Sequence, residues 1–329
     1  MPVMNGVPRV QVGYHASHEQ FPPSELLGLV RKAEEAGFQA VLNSDHFHPW
    51  TEAQGQSGFV WSFMGAALAV TKLSMGAVNA PGQRYHPALI AQALGTLGEM
   101  FPGRAWVALG SGQLLNEAIT GQGWPAKDQR NARLRECVDI IRALFRGETV
   151  TYRGLVTVEE AKLYTRPAQA PLLVGAAITP KTAEWVGGWA DGLITTSKPP
   201  DALRQVVEAF RRGGGEGKPM FLKVQLSYAP AEARAREGAL RQWAANIFPS
   251  SVLSDLRRPS QFEEAASTVQ PHDLEASVRI SSSLQQHLDW LGEDVRLGFD
   301  RLYLHNVNRE QAPFIEAFGE KVLPALQRG

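Results

Sequence analysis

The run Ser44-Asp45-His46-Phe47-His48-Pro49-Trp50 gathers an acid, two imidazoles and an indole directly after the apolar stretch Phe38 to Leu42. An imidazole titrates near neutrality, so His46 can take or give a proton. Asp45 can orient it or accept a hydrogen bond from a ligand. Trp50 offers a broad apolar face to a planar ring or a sugar-like substrate. A bland reading stands beside this one: Asp45 caps a turn and the aromatics fill a cavity mouth. Asp45, His46 and His48 lack the spacing of a zinc motif, so no metal is expected.

Other polar groups fall at the ends of the predicted strands. His15 and His18 follow the first, Asn79, Arg84, Tyr85 and His86 the third, and Ser111, Gln113, Asn116 and Glu117 the fourth. Gly110-Ser111-Gly112 offers exposed N–H groups and one hydroxyl for an anion or a flat cofactor. It has no P-loop lysine. Gly175-Ala176-Ala177-Ile178-Thr179-Pro180 runs from a strand into a helix N-terminus, where free N–H groups favour phosphate. Thr179 also reads as an ordinary helix cap.

Strands and helices that would position these groups alternate along the chain. Strands are predicted at Val10 to Tyr14, Gln39 to Leu42, Leu73 to Val78, Arg104 to Leu109, Pro171 to Gly175, Gly192 to Thr195, Phe221 to Tyr228 and Arg301 to His305. Helical spacing separates them, as in Leu26, Leu27, Val30 and Ala33, which Gly37 terminates. Thr151 to Gly154 suggests a small hairpin. The pattern predicts an α/β fold, a (β/α)8 TIM barrel with insertions, whose strand-end loops share one face. A doubly wound sheet is the runner-up, but the first strand–helix junction lacks the G-x-G-x-x-G fingerprint. Residues 1–329 read as a single barrel domain, with a helical insertion near the mouth at 229–280.

Composition excludes several functions. Lys plus Arg balance Asp plus Glu at 33 each, which gives no electrostatic case for nucleic acid or an anionic membrane. The single cysteine, Cys137, allows no internal disulfide or thiolate cluster. No signal-peptide pattern opens the chain, and no uncharged apolar stretch approaches about 18 residues, so a cytoplasmic protein is expected.

Five ordered blocks, taken together, carry a resemblance: Ser44-Asp45-His46-Phe47 with Pro49-Trp50, Arg84-Tyr85-His86-Pro87, Ile90-Ala91-Gln92-Ala93, Gly110-Ser111-Gly112-Gln113-Leu114-Leu115-Asn116-Glu117, and Ala190-Asp191-Gly192-Leu193-Ile194. Across most of residues 10–310 the chain resembles the luciferase-like flavin and deazaflavin oxidoreductases, and more closely the deazaflavin-dependent glucose-6-phosphate dehydrogenases. The resemblance implies a TIM barrel binding its cofactor in the C-terminal mouth. Asp45, Asn79, Ala80, Ser111, Gly112 and Asn116 would approach that cofactor, and Ala177, Ile178 and Thr179 its phosphate. His46 and Trp50 match the active-site histidine and tryptophan, with Gln113 orienting substrate or cofactor. Thr196, Lys198 and Arg279 would contact substrate. The resemblance also implies a non-proline cis peptide at Ala77-Val78 and a homodimer formed through early helices.

The chain departs from that subfamily where Gln113 stands for its acid and Ile178-Thr179 for its paired glycines. The lysine-histidine pair expected before Pro259 is absent, and Arg257 and Arg258 are its nearest substitutes. These departures favour FMN or a related flavin, and a luciferase-like monooxygenase acting on a small organic substrate. A flavin reductase or NAD(P)H would then donate electrons. Two alternatives are a deazaflavin (coenzyme F420)-dependent alcohol or sugar dehydrogenase, and a non-catalytic cofactor-binding protein.

Overall fold

Short apolar runs stopped by glycine or proline can neither extend far nor stay exposed, so each strand returns through a helix laid against the sheet. The computed structural model describes residues 10–327. The first half runs β1 (Gln11–Ala16), α1 (Pro23–Glu35), β2 (Ala40–Ser44), α2 (Val60–Val70), β3 (Ser74–Asn79), α3 (Pro87–Met100) and β4 (Ala105–Leu109). Next come α4 (Leu114–Glu117), α5 (Lys127–Arg146), the hairpin β5 (Val150–Arg153) and β6 (Thr157–Ala161), β7 (Leu173–Ala176), α6 (Pro180–Gly187), β8 (Gly192–Thr196) and α7 (Pro200–Phe210). The chain ends with β9 (Met220–Ser227), α8 (Glu232–Trp243), α9 (Ser250–Leu253), α10 (Pro259–Ala266), β10 (Arg279–Ile280), α11 (Leu284–Arg296), β11 (Arg301–Asn306), α12 (Gln311–Ala317) and α13 (Leu323–Leu326).

The parallel order β9-β11-β1-β2-β3-β4-β7-β8 closes because β9 also pairs with β8. This is the expected (β/α)8 barrel. Alternation along each strand decides which side chains fill it. Leu42, Trp106, Val174, Ile194, Phe221 and Tyr303 form the interior cluster, while Val41, Val107, Leu193, Leu222 and Leu302 face the helices. Each such burial contributes about 1.5–3 kcal/mol. Trp106 fits only because its neighbour on β3 is Gly76: a Cβ there would lie 2.1 Å from the indole.

Three details differ from expectation. The described residues contain no cis peptide bond, so Ala77-Val78 is trans. Both residues stay in unbroken register, Ala77 opposite Asn43 and Val107, Val78 opposite Ser44 and Ala108. β1 extends through His15 and Ala16, because the pairings of His15 with Leu42 and Ala16 with Asn43 continue the ladder. The helix-rich segment at 229–280 holds one short strand, β10, paired with Leu226 and Ser227 of β9. That segment also has its own apolar cluster, including Ala235, Ala239, Trp243, Leu274 and Val278. Among the described residues no helix is long and apolar enough to cross a membrane.

Candidate active site

A cavity of about 1620 Å³ opens at the C-terminal ends of the barrel strands. His46, Trp50 and Gln113 line it together with Asp45, Asn79 and Ala80. So do Ser111, Gly112 and Asn116 from the β4 loop, and Ala177, Ile178 and Thr179 between β7 and α6. Thr196 and Lys198 complete the wall after β8. Closure of the barrel thus converges residues more than 150 positions apart.

His46 sits on a carboxylate. Its Nδ1 lies 3.3 Å from Glu19 Oε1. Glu19 is 2% exposed and accepts hydrogen bonds from Ser17 Oγ at 2.9 Å and Ser44 Oγ at 2.7 Å. Burial alone would raise the Glu19 pKa, but His46 and Ser44 outweigh it, and the carboxyl is held below its ordinary range. Burial pushes the His46 imidazole below its ordinary value, and Glu19 opposes that shift. Burial thus favours the neutral imidazole, while the Ser44 hydroxyl favours the ionised carboxylate. Trp50 stands edge-on to His46, ring centres 4.6 Å apart, and is itself braced 5.3 Å from Phe262 of α10.

Beside it lies a polar network centred on Arg84. Asp45 accepts from Asn79 Nδ2 at 2.5 Å and from Tyr85 at 3.1 Å. Arg84 donates to the Asp45 backbone oxygen at 2.9 Å, and its Nε lies 3.6 Å from Glu117. The Arg84 backbone N–H also donates to Glu117 Oε2 at 2.7 Å. Burial raises the Glu117 carboxyl, with Arg84 opposing. Asn116 Oδ1 holds the Phe47 N–H at 2.9 Å, and His48 Nδ1 meets the Leu115 carbonyl at 2.9 Å. Asp45, His46 and His48 therefore engage three different partners rather than one point.

The glycine loop and the α6 entrance are shaped differently. Gly112 has φ +83°, and a Cβ there would lie 3.2 Å from Glu117, so the backbone passes where a side chain could not. Lys127 donates to the Ser111 hydroxyl. Gln113 precedes α4, and its Oε1 faces Asn116 Nδ2 at 3.5 Å. Thr179 caps α6, accepting from the Thr182 N–H at 3.3 Å.

Arg279 does not line the cavity. Its guanidinium makes paired contacts of 2.5 and 2.8 Å with Asp294 of α11. Asp294 is 1% exposed and would be an uncompensated buried charge without it. Arg257 and Arg258 also lie outside the lining. Sequence reasoning placed Arg84 and Glu117 at strand ends without a role, and missed Glu19 and Lys223. Glu19 lies beside His18 just past β1, an acid at a strand end. Lys223 interrupts the apolar alternation of β9.

A family model described as luciferase-like monooxygenase matches residues 7–301. F420-dependent glucose-6-phosphate dehydrogenases from Beutenbergia cavernae and Nakamurella multipartita are 34% and 35% identical to this chain. Those alignments cover 97% of this chain, and 98% and 97% of the respective relatives. The structure of an F420-dependent secondary alcohol dehydrogenase in complex with an F420-acetone adduct superimposes with a TM-score of 0.91 at 30% identity. It covers 97% of this chain and 99% of that one. The chain is an oxidoreductase that belongs to the luciferase-like flavin and deazaflavin superfamily, closely related to its F420-dependent glucose-6-phosphate dehydrogenases.

Proposed function

We propose that this protein is an F420-dependent dehydrogenase of a small alcohol or sugar. The observation that carries this reading is His46 Nδ1 lying 3.3 Å from Glu19, beside Trp50, in a cavity of about 1620 Å³ with room for a flat cofactor and a substrate. The preference for FMN and oxygen chemistry rests on Gln113 and Ile178-Thr179 alone. Similarity to F420 enzymes over nearly the whole chain outweighs those positions.

The residues present suit a deazaflavin. Asn79 Oδ1 is buried without a protein partner, an acceptor for a ring N–H. Gly112, at φ +83°, lets the loop after β4 turn along the cavity wall. Asp45, Asn79, Ala80, Ser111, Gly112 and Asn116 would hold the ring, and Ala177, Ile178 and Thr179 at the start of α6 its phosphate. When bound, the deazaflavin supplies two-electron hydride transfer and little reactivity with oxygen.

The chain's own residues do the rest. Nδ1 of His46 faces Glu19, which leaves Nε2 to take the proton of a substrate hydroxyl. Ionised Glu19 stabilises the imidazolium formed. Gln113 has an amide to hydrogen-bond the substrate oxygen but no carboxyl to exchange a proton near pH 7. Trp50 supports the apolar face of the substrate. Thr196 and Lys198 stand on the substrate side, and burial pushes the Lys198 ammonium down to about 8.

Anaerobic titration of the purified protein with F420 and with FMN tests the reading. F420 is expected to bind at least about tenfold tighter, and its absorbance to change when a secondary alcohol or sugar is added. Tighter FMN binding, with NAD(P)H-driven oxygen consumption, would restore the monooxygenase reading. Binding without turnover across a broad panel of alcohols, sugars and electron partners would favour the non-catalytic alternative.

The same reading includes a homodimer. α2 carries no charged residue, and Phe59, Val70, Leu89 and Met100, on or beside α2 and α3, are exposed. A second copy would cover them. Light scattering should give twice the chain mass, and a monomer at every concentration would reject this part.

A further inference from the structure

The row Phe221, Lys223, Gln225 rises along the inner face of β9. Phe221 belongs to the barrel interior, whereas Lys223 and Gln225 line the cavity above it. Lys223 lies opposite Thr196 of β8, and its ammonium sits 5.3 Å from the Trp243 ring centre. Among the described residues that ammonium makes no hydrogen bond and no ion pair. Arg84, Arg130 and Arg279, by contrast, each have a carboxylate within 4.0 Å.

Gln225 points a second donor into the same space. The Ser197 hydroxyl accepts from the Gln225 backbone N–H at 3.0 Å and donates its proton to Gln225 Oε1 at 2.8 Å. That fixes the amide with Nε2 turned away from Ser197 and without a protein acceptor. A free ammonium and an oriented amide N–H therefore share one cavity wall, which supplies donors and no ionised acceptor of its own.

We propose that this inner wall, formed by Lys223 and Gln225, is a subsite for an oxyanion group on the substrate, a carboxylate or a phosphate. The subsite rests on the cavity being the substrate site, and makes the substrate an anionic alcohol rather than a neutral one. Lys223 supplies the charge that Arg279, committed to Asp294, cannot bring to the cavity. Carboxylate and phosphate share the chemistry, since each presents oxygens to ammonium and amide donors.

The charged and titratable groups that bear on Lys223 are Glu19, His15, His46 and His305. Burial pushes the histidines below their ordinary values, which disfavours competing positive charge. Glu19 is the one acid among them, and Ser17, Ser44 and His46 already engage it. Burial pushes the ammonium down to about 8, with Glu19 opposing. An anion held there should therefore bind more weakly as pH rises through that value.

Calorimetric titration of cofactor-free protein at pH 7 with sodium acetate, sodium phosphate and neutral acetamide tests the proposal. At least one anion is expected to bind about tenfold tighter than acetamide. Lys223→Met should remove that advantage, Gln225→Leu should weaken it several-fold, and Lys72→Met, outside the cavity, should leave it in place. Acetate dependence on Lys223 identifies a carboxylate, and phosphate dependence a phosphate. If Lys223→Met does not fold, Gln225→Leu decides. Anions that bind no better than acetamide, or that keep their affinity in both β9 variants, overturn the subsite. In that case Lys223 only compensates Glu19. No step of this test needs turnover, so loss of F420 activity would refute the dehydrogenase reading and leave the subsite standing.

Discussion

The two walls of the cavity treat buried carboxylates in opposite ways. On the β3–β4 side, Asp45 and Glu117 share Arg84, and Asn79 and Tyr85 add further donors to Asp45. On the β1–β2 side, Glu19 has two serine hydroxyls and one imidazole contact of 3.3 Å, and Oε1 has no full hydrogen bond. Two carboxylates that share one guanidinium resist change, because removing that cation strands both charges in a poorly solvated site. A carboxylate that faces an imidazole instead of a fixed cation can absorb a proton's movement at lower cost. The first arrangement suits holding shape and the second suits exchanging charge.

Variants should separate the walls. His46→Ala is expected to lower kcat by about 10²–10⁴-fold with a melting profile close to the parent, in steady-state assays with F420. Retained turnover would move the proton-accepting role away from the β1–β2 side. Arg84→Met should act on the other wall, costing about 3–5 kcal/mol in urea unfolding, since it leaves Asp45 and Glu117 buried without a cation. A loss below about 1 kcal/mol would mean that this network is not what fixes the wall.

Glu19→Gln should reduce kcat by about tenfold and shift its pH profile. Glu19 raises the His46 value against burial, so neutralising it lowers that value further. His46 must be neutral to accept a proton, and activity falls as pH drops through its pKa. The acidic limb should therefore move to lower pH in the variant. A shift to higher pH would contradict the assigned pairing. Arg279→Met gives the smallest effect on catalysis, with KM within about twofold of the parent, because the guanidinium is spent on Asp294 outside the cavity. A large rise in KM would return Arg279 to the substrate side.

The strand ends were legible because barrel topology fixes where they meet. Asp45, His46 and Trp50 after β2, Asn79 after β3, and Ser111 to Asn116 after β4 all reach the cavity. Arg279 misled because its position in the chain predicts a strand end but not a partner. Asp294 lies 15 residues away on α11, and only packing brings it into contact. Glu19 was overlooked because no spacing links it to His46. Their contact depends on the pairing of β1 with β2, which sets Ala16 beside Asn43.

The sequence by itself determined the alternation of strand and helix, the barrel, and the face on which the strand-end residues gather. Those depend on local periodicity and on side chains that must be buried whatever their partners. Only the tertiary structure decided which charges neutralise one another. Arg84 is consumed by Asp45 and Glu117, and Arg279 by Asp294, while Lys223 is left facing the cavity. Charge pairing is set by distance across the closed barrel and by the cost of burying an unpaired ion, and neither quantity is written in the order of residues along the chain.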